Sequence, residues 1–170
     1  SIRVQALKQI GLVDEVVLSE GREASGRPAY FEAAVFDRLS AELADAPVDG
    51  VMPLTSLLVP AVASGTGRSD PQVEGHGVED RRLTGFDAVV EVDPGRVLSV
   101  DALPTGELYL SSETAGNLGV VAGGTIDLYF GQRPTSFRVA AVYESRGNNA
   151  QPESAHFRLE DAQRITGNEG

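Results

Sequence analysis

Residues 106–144 read GELYLSSETAGNLGVVAGGTIDLYFGQRPTSFRVAAVYE, and this stretch decides how the rest of the chain is understood. Gly106 to Leu110 alternates apolar and polar residues and carries Tyr109, as a strand with one buried face does. Ser111 or Ser112 is placed to cap a short helix, with Glu113 in the first turn where a carboxylate suits the helix dipole. Leu118-Gly119 closes that helix, because glycine adopts the left-handed conformation a helix end asks for. Thr125 to Phe130 alternates as a second strand. Gly131 to Pro134 forms a tight connection to a third, Ser136 to Tyr143. Strand, helix, strand and hairpin agree with one another, and such local consistency marks a unit that folds as written.

Working outward, Ser64 to Asp70 and Ser145 to Pro152 are polar, turn-rich connectors on either side of this unit. Before the first connector, Ile2 to Ile10 has helical spacing and Val13 to Ser19 is a valine-rich strand. From Ala29 to Ala44, following Pro28, Phe31, Val35, Leu39 and Leu43 recur every four residues and Ala34 widens the stripe, predicting an amphipathic helix. Val51 to Ala63 is a long apolar stretch holding Pro53 and Pro60, which implies an edge, a bulge or two successive strands. Strand, helix and strand in that order predict a βαβ unit. Gln72 to Val78 reads as a strand, and Asp93-Pro94-Gly95 as a turn within Ala88 to Val100. Near the end, His156 to Leu159 reads as a short strand and Leu159 to Thr166 as a helix stopped by Gly167.

Composition narrows the function classes. The chain has 170 residues, of which 41% are hydrophobic, enough for a sizeable core in one domain or two small lobes. Its 19 glycines and 9 prolines follow no period, which favours short elements and turns over a helical bundle. Without cysteine there is no disulfide framework, thiolate metal site or cysteine nucleophile, and both cytoplasmic and extracytoplasmic settings remain open. A formal net charge of −11 opposes direct binding to nucleic acid or to an anionic membrane surface, although solubility is the plainer meaning. No apolar run reaches the roughly 18–20 residues that span a bilayer, and no signal-peptide pattern opens the chain. Ser1 in place of methionine is what an excised fragment, or simple methionine removal, would show.

The central stretch also resembles a known family. Ser111-Ser112-Glu113, Ala115, Leu118-Gly119-Val120, Gly123-Gly124-Thr125-Ile126 with Leu128, and Phe137-Arg138-Val139-Ala140-Ala141-Val142 are similar to the extracytoplasmic domain of FtsX-like, MacB-type ABC transporter permeases. Gly124 and Ala141 depart from the family's usual Asp and Gly. The run around Pro47-Val48-Asp49-Gly50-Val51 and the segment Phe157 to Gly167 (FRLEDAQRITG) resemble the family's flanks, and Val73 to Val78 falls where its short lead-in to the central motif would be. The resemblance implies an α+β fold of two lobes. A βαβ-type, porter-like lobe would comprise 1–68 and 149–170, and an inserted, sabre-like α/β lobe 69–148. It further implies attachment to transmembrane helices at both ends, with the ends emerging on one side. The expected partners are an ABC ATP-binding subunit, reached through a dimeric permease, and a lipoprotein, peptide, drug or envelope protein on the extracytoplasmic side. The domain itself would be non-catalytic.

The residues support no catalytic, cofactor-binding or metal site. His76 and His156 lie far apart, and a zinc site at His76 would have to recruit Glu74, Glu79 or Asp80, so a histidine in a polar turn is the plainer reading. No G-x-S-x-G elbow is present, and Ser64-Gly65 and Ser25-Gly26 read as loops. Gly119 to Gly124 (GVVAGG) follows a helix rather than opening one, lacks a following G-K-[ST], and leaves Lys8 as the only lysine, so no phosphate loop and no ATP binding is expected. Asp14-Glu15 and Glu79-Asp80 lack calcium-loop spacing. Tyr30 and Phe31 belong to a helix face, and Tyr109, Tyr129 and Phe137 to strand cores. Two other readings compete: a free-standing binding or adaptor module on a small β-barrel, and a hydrolase built around His76 or His156.

Overall fold

In the computed structural model the described residues are 33–46, 53–79, 89–93, 96–144 and 153–167. The expected elements at 2–10 and 13–19, the Pro28 helix start, and therefore the βαβ unit and the sidedness of the chain ends, lie outside them. Helix α1 (Ala33–Glu42) keeps Val35, Phe36, Leu39 and Leu43 half-buried and exposes Asp37, Arg38 and Glu42. Ala34, expected on the stripe, is exposed, and Phe36 takes its place.

Strands β1 (Leu54–Ala63) and β2 (Ser69–Val78) form an antiparallel hairpin whose register shifts between Val59 and Ala61. Pro60 sits at that shift, because it has no N–H to give the ladder. Strands β3 (Val89–Glu91) and β4 (Val97–Leu98) form a short second hairpin, and a 3₁₀ turn, Val100–Ala102, follows. The central stretch folds nearly as its pattern demands: β5 (Glu107–Ser111), α2 (Ser112–Leu118), β6 (Thr125–Phe130) and β7 (Arg133–Glu144). The Ser111 side chain caps α2 by accepting from the Thr114 amide, and Gly119 ends it at φ 63° and ψ 38°. Strand β8 (Ser154–Arg158) and helix α3 (Leu159–Thr166) complete the chain.

The strands close on themselves. Going round, β7 pairs parallel with β5, β5 antiparallel with β8, and β8 parallel with β2. The β1–β2 hairpin follows, then β1 with β6 and β6 with β7, both antiparallel. Six strands thus form a ring without a free edge, and β3 and β4 extend it from the far end of β7. Inside the ring Leu57, Val59, Val73, Leu108, Leu110, Ile126, Phe137 and Phe157 are buried together, and the rings of Phe137 and Phe157 meet at 5.6 Å between centroids. A second, smaller core lies on the outer face, where Val100, Leu103 and Leu98 cover Tyr109, Ala141 and Tyr143.

Among the described residues the strand pairing does not follow the expected domain division. The boundary at 68/69 falls in the turn between β1 and β2, which are fully paired, and β8 of the supposed porter-like lobe lies between β2 and β5 of the supposed insert. Among the described residues both sets of strands share one inner core, so the mixed α/β class holds while the two lobes are not found there. The ring also separates the residues of β7. Phe137, Val139, Ala141 and Tyr143 alternate as if on one face, yet Val139 pairs with Leu108 and Ala141 with Tyr109, leaving Ala140 as an extra residue. That bulge turns the strand over, so Phe137 and Val139 join the inner core while Ala141 and Tyr143 join the outer one.

Helix packing explains much of the C-terminal motif. Ala162 of α3 lies so close to Gly77 that no side chain fits there, which lets the helix lie flat on β2. Asp161, 1% exposed, pairs with Arg164 and accepts the Gly106 amide at 3.2 Å, tying α3 to the start of β5. Asn117 of α2 donates to the buried Asp70 carboxylate at 3.1 Å and to Glu153 at 3.2 Å, joining α2 to β2 and to the start of β8.

Candidate functional site

Two features stand out once the ring is drawn. The first is an open groove of about 730 Å³ where β7 exchanges β6 for β3 as its neighbour. Val92, Val120, Val121, Ala122 and Val142 line it, with Asp93 the one charged residue of the lining and the last turn of α2 as its floor. Val121 is 73% exposed and Val92 47%, so this is apolar surface presented to solvent. No sequence signal pointed to it, because Val92 and Val121 are distant in the chain and each is unremarkable alone.

The glycine-rich segment Gly119 to Gly124 lines the groove through Gly119 to Ala122. Four of its amides are already engaged: Gly119 and Val120 donate to the Ala115 carbonyl, Gly123 to Val139 at 2.7 Å and Gly124 to Val121 at 3.0 Å. Those amides therefore cannot cradle a phosphate. At Gly124, where the resembled family carries Asp, the Val120 side chain occupies the space a Cβ would need.

The second feature is the pair of histidines. His76 and His156 sit directly opposite one another in the parallel β2–β8 ladder, with ring centroids 5.1 Å apart. Both are half-buried on the outer face, and the Tyr143 ring meets His156 edge-on at 5.2 Å. The His76 Nε2 lies 3.9 Å from the Glu74 carboxylate, which also accepts the Ser56 hydroxyl at 2.9 Å. Burial holds the His76 pKa below its usual value, and the Glu74 charge opposes that shift in part. Behind them runs a buried set of hydroxyls. Tyr143 and Ser154 share a hydrogen bond of 2.6 Å, and Ser111 donates to the Thr114 hydroxyl while accepting the Ser154 amide. Burial raises the Tyr143 phenol well above its ordinary range, and the Ser154 hydrogen bond offsets a little of that.

The serines of this cluster are not placed as nucleophiles. Ser154 is 0% exposed and Ser111 1%, and both hydroxyls are engaged within the protein, so neither is presented to a substrate. Nor do the described residues contain a group of three or more His, Asp or Glu side chains arranged to hold a metal ion. Asp80, a ligand weighed for zinc at His76, lies outside the described residues. Tyr109 is buried in the outer core with its hydroxyl donating to the Ser99 carbonyl at 2.9 Å, Phe137 is buried in the inner core, and Tyr129 is half-buried.

The described residues form a closed, mixed sheet carrying short helices, a mixed α/β fold that solved structures share. The chain is similar to the extracellular domain of the noncanonical ABC-type transporter YknZ from Gram-positive bacteria, at a TM-score of 0.59 and 14% identity over 88% of this chain and 74% of that one. It is also similar to the periplasmic region of MacB from Actinobacillus actinomycetemcomitans, at a TM-score of 0.50 and 15% identity, covering 83% of this chain and 61% of that one. Identity this low makes the likeness one of fold, and at that level the MacB-type resemblance drawn from the sequence holds. No family model matches the chain, and no curated protein does. Among the described residues no helix is long and apolar enough to cross a membrane.

Proposed function

We propose that this chain is the extracytoplasmic domain of an FtsX/MacB-type permease and acts as a non-catalytic lever. In this reading transmembrane helices flank it, a separate ATP-binding subunit drives them, and the permease works as a dimer. The carrying observation is the shared fold with the extracytoplasmic domains of YknZ and MacB. The lever is the closed ring rather than two lobes, since a ring without free edges transmits force with little internal give. Its grip on a lipoprotein, peptide, drug or envelope protein falls to the apolar groove beside β7.

The test uses the full reading frame that encodes these residues. Membrane fractionation should place the product in the membrane with this domain open to external protease, and an ATP-binding subunit should co-purify with it. A soluble product that co-purifies with no such subunit overturns the reading. It would favour the free-standing binding module, which the closure of the six strands into a small barrel independently supports.

A further inference from the structure

We propose that the groove beside β7 docks a segment of a partner protein that sets an aliphatic side chain on the floor made by α2 and a lysine or arginine against Asp93. This docking takes the groove as the domain's grip and does not need a permease around it.

The apolar part of the surface is set by register. Strand β3 pairs with β7 through Val90 with Glu144 and Glu91 with Tyr143, and the Val92 amide donates to the Val142 carbonyl at 2.9 Å. Val97 is the register partner of Val90 across the β3–β4 hairpin. Strand alternation therefore puts Val92, Val97 and Val142 on one face, opposite the face where Leu98 and Tyr143 enter the outer core. Val97 is 71% exposed there, and with Val92 and Val121 it makes three of the five large hydrophobic side chains exposed among the described residues. The other two, Leu54 and Leu58, belong to β1.

The floor is open because of one glycine. Gly116 lies inside α2, where glycine is a poorer helix former than alanine. No atom comes within 4 Å of the place its Cβ would take, so packing in this fold does not require the missing side chain. The space it leaves belongs to the groove.

Charge selects the occupant. Asp93 is exposed and is the one charged residue of the described lining, and among the described residues no cation is paired with it. Arg68 packs over Gly119, and Arg138, paired with Glu107, approaches Gly123, but neither lines the groove. An alkyl chain laid over Asp93 would strip water from the carboxylate and return no partner, a net cost. A second copy of this chain would bring a formal charge of −11 toward a surface of the same sign. A basic segment of another protein meets both demands. Its aliphatic side chain covers the valines, its cation offsets Asp93, and the acidic chain draws it in.

The experiment titrates the 170-residue chain, labelled with nitrogen-15, with three capped pentapeptides followed by NMR. The peptides share leucine, valine and leucine at alternate positions and carry between them two lysines, two glutamines or two glutamates. The lysine peptide is expected to shift amides of residues 92–93, 116–122 and 142. It should bind about tenfold more tightly than the glutamate peptide, attraction and repulsion at Asp93 each contributing about threefold. Asp93→Asn should bring those two peptides within about twofold of each other. Gly116→Leu, which fills the floor, should weaken the lysine peptide at least about tenfold while amides of the β6–β7 hairpin keep their hydrogen-exchange protection.

Equal affinity for the three peptides would overturn the docking, as would shifts centred on Leu54 and Leu58 or no shift at about 5 mM peptide. Octylamine matching the lysine peptide would make the site one for small cationic amphiphiles, and the same shifts on concentrating the protein alone would make the occupant a second copy; either result also overturns it. If Gly116→Leu does not fold, Asp93→Asn and the peptide series still decide. A chain that binds the lysine peptide but fails membrane fractionation keeps the docking without the permease, and the opposite pair of results keeps the permease without the docking.

Discussion

Phe157 and His156 are neighbours in β8, yet they answer to different physics. Phe157 points into the ring and is 0% exposed among aliphatic and aromatic side chains, where close packing alone sets the energy. His156 points outward into a half-buried layer, where it meets the rings of His76 and Tyr143. One face of the sheet is therefore a dry core, and the other a half-buried layer of rings and polar groups on the same strands.

Substitutions can break or sharpen that contrast. The largest effect is expected inside the ring. Phe157→Ala removes the partner of Phe137 and should destabilise the domain by about 3–5 kcal/mol in urea unfolding, equally at pH 7.5 and pH 5. Next comes the contact between ring and helix. Gly77→Ala drives a methyl group into Ala162 and should cost about 1–3 kcal/mol, read as a lower midpoint in calorimetry. A smaller loss, about 1–2 kcal/mol, is expected for Ser111→Ala, which removes the α2 cap and leaves the buried Ser154 amide without its acceptor. Smallest is the groove: Val121→Asp should move stability by no more than about 0.5 kcal/mol while abolishing capture of the physiological partner by the full-length protein. A groove variant that unfolds the domain would show that this wall supports the ring and is not merely presented surface.

Elements were legible where local rules act alone. Gly119 and Gly167 end α2 and α3 through left-handed stops that need no partner, and Ser111, one of two serines read as the cap, begins α2. The alternation of Thr125 to Phe130 placed β6 residue for residue, and Pro60 foretold the irregularity in β1. The strand Ser136 to Tyr143 was read too short, since Arg133 and Pro134 already pair with β6 across a two-residue turn. The candidate site was not legible. His76 and His156 became partners only through a parallel pairing that leaves no mark in sequence spacing, and the β7 bulge overturned an alternation that looked uniform.

By itself the sequence determined most of the segments that would be strands or helices and where α2 and α3 would stop, because side-chain alternation, capping hydroxyls and glycine conformations act over a few residues. It also carried enough of the MacB-type pattern to anticipate the fold. Only the tertiary structure decided that the described strands on both sides of the central stretch join one ring, that two distant histidines face each other, and that a groove opens beside β7. Those outcomes depend on pairings between remote segments, and a remote pairing is chosen by how all the faces pack together rather than by any one segment's pattern.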